Sequence, residues 1–270
     1  MPSPRILFAR SGGGLPGLDI HAGIWLAIEE AGIRPTHLSG TSAGAIVSSL
    51  QAAGTSPSLC AALLASLSDR HVRREIPFWK FRVPWLDHFL SNAPIRSVLS
   101  GLLPASMSKL QMPLDVFAVR RDTGDCRNVA CPSISSSPAD SAMASMSISG
   151  VFPPVELADG HIYIDGGVRN YCALPTDWRQ FDQVWILIAA GAPEDYRRKS
   201  GILTNLMRNI SYLLQDQIGD VLDLTRGDPR VHVIWPTVAT PRGSLRFHHA
   251  LIGQAYDWTR EHLSHGAVKP

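Results

Sequence analysis

The sequence predicts an α/β fold, and three observations carry the prediction. Its 270 residues are 45% hydrophobic, ample for one large core. Strand-length apolar runs alternate with helical spacings along the chain, and glycine-rich turns stand where strands pass into helices. A single domain over residues 1–270 is the organisation expected.

Taken in order, residues 5–10 read as a buried strand. After a glycine turn, Ile20, Ile24, Ala27, Ile28 and Ala31 recur at helical spacing until Gly32 can cap the helix. A short strand through Thr36, His37 and Leu38 enters a second turn at Gly40, and the small apolar run 43–53 makes a helix that Gly54 can stop. Residues 58–70 form a further helix. Strands over 114–119 and 127–130 flank Asp122-Thr123-Gly124-Asp125, a turn signal for a hairpin. A helix over 139–147, core strands at 162–164 and 184–189, a long helix over 202–224, a strand at 231–235 and a closing helix over 247–263 complete the reading. The serine-rich 133–137 is a loop, and no internal repeat is present.

Composition excludes several function classes. The formal net charge of +2 arises from 25 basic and 23 acidic residues spread along the chain, so no strong electrostatic attraction to nucleic acid is encoded. Cys60, Cys126, Cys131 and Cys172 form no C-x-x-C pair and have no histidine at metal-ligand spacing, so no metal and no cofactor is expected, and a reduced, cytoplasmic chain is the simplest reading. The apolar run 6–9 is too short for a signal sequence, and no apolar window approaches the roughly 20 residues of a transmembrane segment. Membrane contact, where it occurs, is then peripheral.

Gly12, Gly14 and Gly17 satisfy the G-x-G-x-x-G spelling of a dinucleotide turn. Such a turn needs an acidic residue about 20 positions on, at the end of the second strand. Here that strand ends in Ser39-Gly40-Thr41-Ser42-Ala43-Gly44, and no lysine follows the glycines as a phosphate-binding P-loop requires. What remains is a set of unobstructed backbone N–H groups at a helix N-terminus, suited to negative charge.

The second turn supplies chemistry that creates such charge. Gly40-Thr41-Ser42-Ala43-Gly44 fits the G-x-S-x-G nucleophile elbow, with a strand before it and a helix after it. With both turns at the carboxyl edge of adjacent parallel strands, the glycine loop faces an oxyanion formed by attack of Ser42, alongside the N–H of Ala43. For the base, His248 or His249 would complete a Ser-Asp-His order, but only two strands fit before Ser42, whereas α/β-hydrolases place several there. Asp165 is the preferred base, because it ends a strand and precedes the flexible Gly166-Gly167.

Together these residues resemble the patatin-like phospholipase family, whose hallmarks are a glycine-rich oxyanion loop, a G-x-S-x-G elbow and an Asp-Gly-Gly aspartate. Ser149-Gly150-Val151-Phe152-Pro153-Pro154-Val155 is similar to the family's proline-rich segment, and Asn170 and Pro175 follow the aspartate. The resemblance implies a three-layer α/β/α fold with a mainly parallel sheet, Ser42 as nucleophile, Asp165 as base, and Gly12, Gly13 and Gly14 as oxyanion donors. It implies a lipid acyl hydrolase of phospholipase A or lysophospholipase type. A soluble small-ester or thioester hydrolase, and a non-catalytic lipid-binding scaffold, are the alternatives.

Two departures from the pattern stand out. Pro16 occupies the place where the family's loop commonly carries a cation, which removes a basic contact to substrate phosphate. The usual Asn-Asn-x-Pro is loosened to Arg169-Asn170-Tyr171-Cys172-Ala173-Leu174-Pro175. Separately, residues 78–90 hold Phe78, Trp79, Phe81, Trp85 and Phe89 beside Lys80 and Arg82, a composition that suits a membrane interface or an aromatic wall over the core.

Overall fold

The computed structural model describes residues 3–68, 74–75, 88, 90–190, 202–239 and 246–264, without the side chains of 74, 75, 202–209 and 211. Five strands run parallel in the spatial order β10 (Val231–Ile234), β9 (Gln183–Leu187), β1 (Ile6–Arg10), β2 (His37–Thr41) and β5 (Leu114–Arg120). The N-terminal strand β1 is therefore central, hydrogen-bonded to β9 on one edge and β2 on the other. That position explains its unbroken apolar run, since both of its faces are covered.

Alternation along β1 sorts the two cores. Leu7 and Ala9 pack with Val184, Ile186 and Val231 on one face, against the long helix α6 (Ile202–Thr225) through Leu214 and Ile218. Phe8 faces the other side with Leu38 and Leu187, under α1 (Gly14–Glu30), α2 (Ala43–Ala52), α3 (Pro57–Ser66), α4 (Ala93–Leu102), α5 (Pro138–Ser145) and α7 (Ala250–Ser264). Helices thus cover both sheet faces, giving three layers of α/β/α type. Serine caps begin two of them: Ser56 accepts from Leu59 N and Ser137 from Asp140 N, each followed by proline in the first turn.

The antiparallel part of the sheet positions the site. Strand β6 (Cys126–Asn128) forms the expected hairpin with β5, pairing Phe117 with Asn128 and Ala118 with Arg127. On the opposite edge of β5, Phe117 pairs with Thr41 of β2, and the next residue, Ala118, pairs with Asp165 of β8 (Ile162–Asp165). Strands β2 and β8 therefore share one edge of β5 and approach each other end to end. Outside β8 lies β7 (Val155–Glu156); β3 (Arg74–Glu75) and β4 (Leu90–Ser91) form a separate antiparallel pair.

The structure corrects the reading at several places. The second strand continues past Leu38 to Thr41, and the helix expected over 58–70 ends at Ser66, where Leu67 turns extended. Residues 162–164 form a strand that puts Tyr163 in the core, but β8 runs antiparallel to β5 and leaves Ile162 exposed. Helix α4 is an unpredicted element, although Pro94 in its first turn and Ile95 and Leu99 on its buried side form a readable stripe. Of the aromatic stretch 78–90, all but His88 and Leu90 lie outside the described residues.

Candidate active site

Ser42 occupies the junction of β2 and α2 with φ 54° and ψ −118°, a conformation that L-residues adopt at a cost of about 1–3 kcal/mol. The neighbouring sequence permits it. A Cβ at Gly40 would stand 2.5 Å from the Gly44 carbonyl oxygen, and one at Gly44 would collide with the Arg10 carbonyl, so only glycine closes this turn. The N–H of Ser42 donates to Ser145 Oγ at 2.9 Å, and Ser145 Oγ donates in turn to the Phe117 carbonyl at 2.6 Å. Ser42 is 6% exposed.

Asp165 arrives by the end-to-end approach of β8 on β2. Its Oδ1 accepts the Gly167 N–H at 2.7 Å, while its buried Oδ2 faces the Ser42 hydroxyl outside hydrogen-bond geometry and has no other partner among the described residues. Burial pushes the carboxyl up to about 6, against the opposing influence of the Gly167 N–H and the nearby Ser42 hydroxyl. A Cβ at Gly166 would collide with the Phe117 carbonyl and meet Thr41 Cγ2 at 3.2 Å, so glycine lets the aspartate turn lie against the elbow strand.

The glycine loop lies beside them. Gly17 packs its Cα side toward Ala43, holding the first turn of α1 against that of α2. Gly13 caps α1 and Gly14 begins it at φ 63°. The N–H groups of Gly13, Gly14 and Ala43 have no protein partner among the described residues, as first-turn amides do not. Gly12 departs from expectation: its N–H donates to the Tyr171 carbonyl at 2.9 Å, so it is not available as an oxyanion donor. Two helix N-termini thus converge on one place and favour negative charge there.

The histidines are engaged elsewhere. His249 bonds Asp19 Oδ1 through Nδ1 at 3.2 Å and the Leu67 carbonyl through Nε2 at 2.9 Å, and the His248 N–H donates to Asp19 Oδ2. They tie the start of α7 to buried Asp19 of α1. The fully buried His21 is held neutral, its pKa lowered to about 3 by burial, and bonds the Ser11 carbonyl at 2.8 Å, bracing the glycine loop. Among the described residues no three His, Cys, Asp or Glu side chains converge as a metal site.

Ser42, Ala43 and Gly14 open onto a narrow apolar pocket of ≈ 60 Å³. Its walls come from α2 (Ile46, Leu50), α3 (Leu63, Leu64) and α4 (Val98, Leu99). Such a pocket accepts hydrocarbon and offers a polar head group nothing.

The family description "Patatin-like phospholipase" matches residues 9–176, more than half of the chain, and spans the glycine loop, the elbow and the aspartate turn. The chain belongs to this family. Among solved structures it is similar to VipD from Legionella pneumophila, with 16% identity and a TM-score of 0.53 over 98% of this chain and 67% of that one. A second similar structure, the type III effector protein ExoU, gives 14% identity and a TM-score of 0.46 over 99% of this chain and 54% of that one. The likeness to VipD shows a shared fold. Membership of the patatin-like phospholipases supports lipid acyl hydrolysis as the activity at the level of the family.

Of the two departures from the family pattern, the loosened segment has a structural explanation. The loosened segment after the aspartate is held by Asn170, whose side chain exchanges hydrogen bonds with Leu174 N and O, and by Thr41 Oγ1 and Ser39 Oγ on the carbonyls of Asn170 and Ala173. The cation next to the glycine loop, Arg10, is buried: Nη1 donates to Ser48 Oγ at 3.1 Å and Nη2 to Gln51 Oε1, between the rings of Phe8 and Trp25. It cannot reach a substrate phosphate. Ser145, Tyr171 and Gln217 touch the site without any sequence signature of their own; only the polar Gln217, on the apolar face of α6, hints at a special contact.

Proposed function

We propose that the chain is a serine acyl hydrolase that cleaves carboxylic ester bonds of lipids, of phospholipase A or lysophospholipase type, through a Ser42–Asp165 dyad. One observation carries the reading: a strained serine at the mouth of an apolar pocket has beside it a buried carboxylate whose outer oxygen no other described residue engages. Ser42 Oγ attacks the ester carbonyl while Asp165 Oδ2 takes its proton. The tetrahedral oxyanion is held by the N–H groups of Gly13, Gly14 and Ala43. Asp165 returns the proton to the departing alcohol, leaving an acyl-serine. Water then attacks that ester, giving its proton to Asp165 and releasing the fatty acid as Ser42 regains its hydrogen.

The pocket's width favours a second reading. At ≈ 60 Å³ it admits a long acyl chain only if its walls move, whereas a small ester or thioester fits with less change. Residues 78–90 are proposed as a peripheral membrane contact on their aromatic and basic composition.

Mass spectrometry of mixed phospholipid vesicles incubated with the protein tests the proposal. Release of free fatty acid and lysolipid by wild type, absent with Ser42→Ala, is the expected result. Hydrolysis of short esters alone favours the second reading, and hydrolysis that persists in Ser42→Ala contradicts both.

A further inference from the structure

We infer that Gln217, on α6, is a positioning residue that couples the aspartate turn to the glycine loop. The inference rests on the dyad reading above and extends it to a residue outside the family's matched segment, 9–176. The Gln217 side chain makes contacts in two directions. Its Nε2 donates to the Gly167 carbonyl at 2.9 Å and, less directly, to the Val168 carbonyl at 3.4 Å. Its Oε1 accepts the Tyr171 N–H at 3.0 Å.

Each contact leads to one half of the site. Gly167 is the residue whose N–H holds Asp165 Oδ1. Tyr171 is the residue whose carbonyl takes the Gly12 N–H, and its ring lies over both loops: a Cβ on Gly12 would stand 2.6 Å from Tyr171 Cε2, and one on Gly167 3.2 Å from Cδ2. A single amide thus holds the turn that orients the carboxylate and, through Tyr171, the loop that presents Gly13 and Gly14. The geometry demands an amide, since one end must donate to a carbonyl while the other accepts from an N–H. Leu214, one turn earlier on α6, packs toward the same Gly167, so the helix is seated before the amide reaches in.

Two variants separate the contacts. Gln217→Met keeps length and loses both; Gln217→Glu keeps the acceptor for Tyr171 N–H and loses the donor to Gly167. Amide hydrogen exchange, which does not depend on activity, is the first readout. In the Met variant, Gly167 and Gly12 both lose protection; in the Glu variant, Gly167 loses it while Gly12 keeps it. Unchanged protection, or identical patterns in the two variants, overturns the coupling. If only the Glu variant folds, loss at Gly167 with Gly12 retained supports the inference and no change overturns it.

The second readout is the pH profile of ester hydrolysis. Loosening Gly167 weakens the hydrogen bond that favours ionised Asp165, so the acid limb of kcat moves up by about one pH unit in Gln217→Met, with kcat about 10-fold lower and KM little changed. A uniform loss with the limb in place marks a merely structural role and contradicts the inference. Wild type without esterase activity would defeat the dyad reading, and the exchange measurement would still decide the coupling.

Discussion

Ser145 Oγ accepts the backbone N–H of Ser42 at 2.9 Å while donating its own proton to the Phe117 carbonyl at 2.6 Å. One hydroxyl from the end of α5 therefore satisfies the amide of the strained elbow residue and fastens it to β5, whose Ala118 pairs with Asp165 of β8. Ser145→Ala leaves that buried N–H without an acceptor. The expected cost is about 1–3 kcal/mol, read as a lower denaturant midpoint at unchanged m-value, with a fall in turnover.

The backbone of Ser42 separates strain from chemistry. Alanine at this position keeps the positive φ, whereas glycine adopts it without a Cβ clash. Ser42→Gly should be more stable than Ser42→Ala by about 1 kcal/mol, against the usual order for these residues in a helical region. Equal stability in thermal unfolding, or a more stable alanine variant, would show that the elbow is unstrained.

Asp165 links the site to folding stability. Its folded pKa, about 6, lies above the ordinary 3.8, so its contribution is fully present below pH 3.8 and is lost as pH rises through 6. Asp165→Asn removes the burial penalty of the ionised form. The variant should exceed wild type by about 2–3 kcal/mol at pH 8, with the gap closing by pH 4. Urea unfolding at the two pH values checks this, and a wild type more stable than the variant at pH 8 would contradict it.

Residues 78–90 lead into described structure at Leu90, which is 5% exposed and donates its N–H to the Val151 carbonyl. As a membrane contact, this stretch predicts that Trp79→Ala and Trp85→Ala weaken vesicle binding without altering melting temperature or short-ester hydrolysis. As core, each change should cost roughly 3–5 kcal/mol and leave vesicle binding intact. Vesicle sedimentation and thermal melts of the same preparations distinguish the two.

The parts of the site visible in the sequence are those imposed by local sterics. Gly40 and Gly44 flank Ser42 because the turn closes within five residues, and Gly166 follows Asp165 because the chain must pass the Phe117 carbonyl; such demands leave small residues at fixed spacing. What was not visible depends on pairing between distant segments. Nothing near Ser42 announces Ser145, 103 residues away, and nothing near Gly12 announces that Tyr171 takes its N–H. The antiparallel arrival of β8 belongs to the same class: strand patterning marks 162–164 as extended, but the direction of pairing is set by the edge that β5 leaves open beyond Phe117. Helix α4 was legible in its apolar stripe, and its role in the pocket was not.

The central claim is that Ser42 is a nucleophile activated by Asp165 and by no histidine. Fluorophosphonate labelling followed by peptide mass spectrometry tests it most directly. Wild type should carry the label on Ser42, at a rate that falls as pH drops through about 6. Asp165→Asn should label at least about 100-fold more slowly, as loss of a general base does, while His248→Ala and His249→Ala label at the wild-type rate. Labelling that survives Ser42→Ala, or that is abolished by either histidine change in a folded protein, would contradict the account.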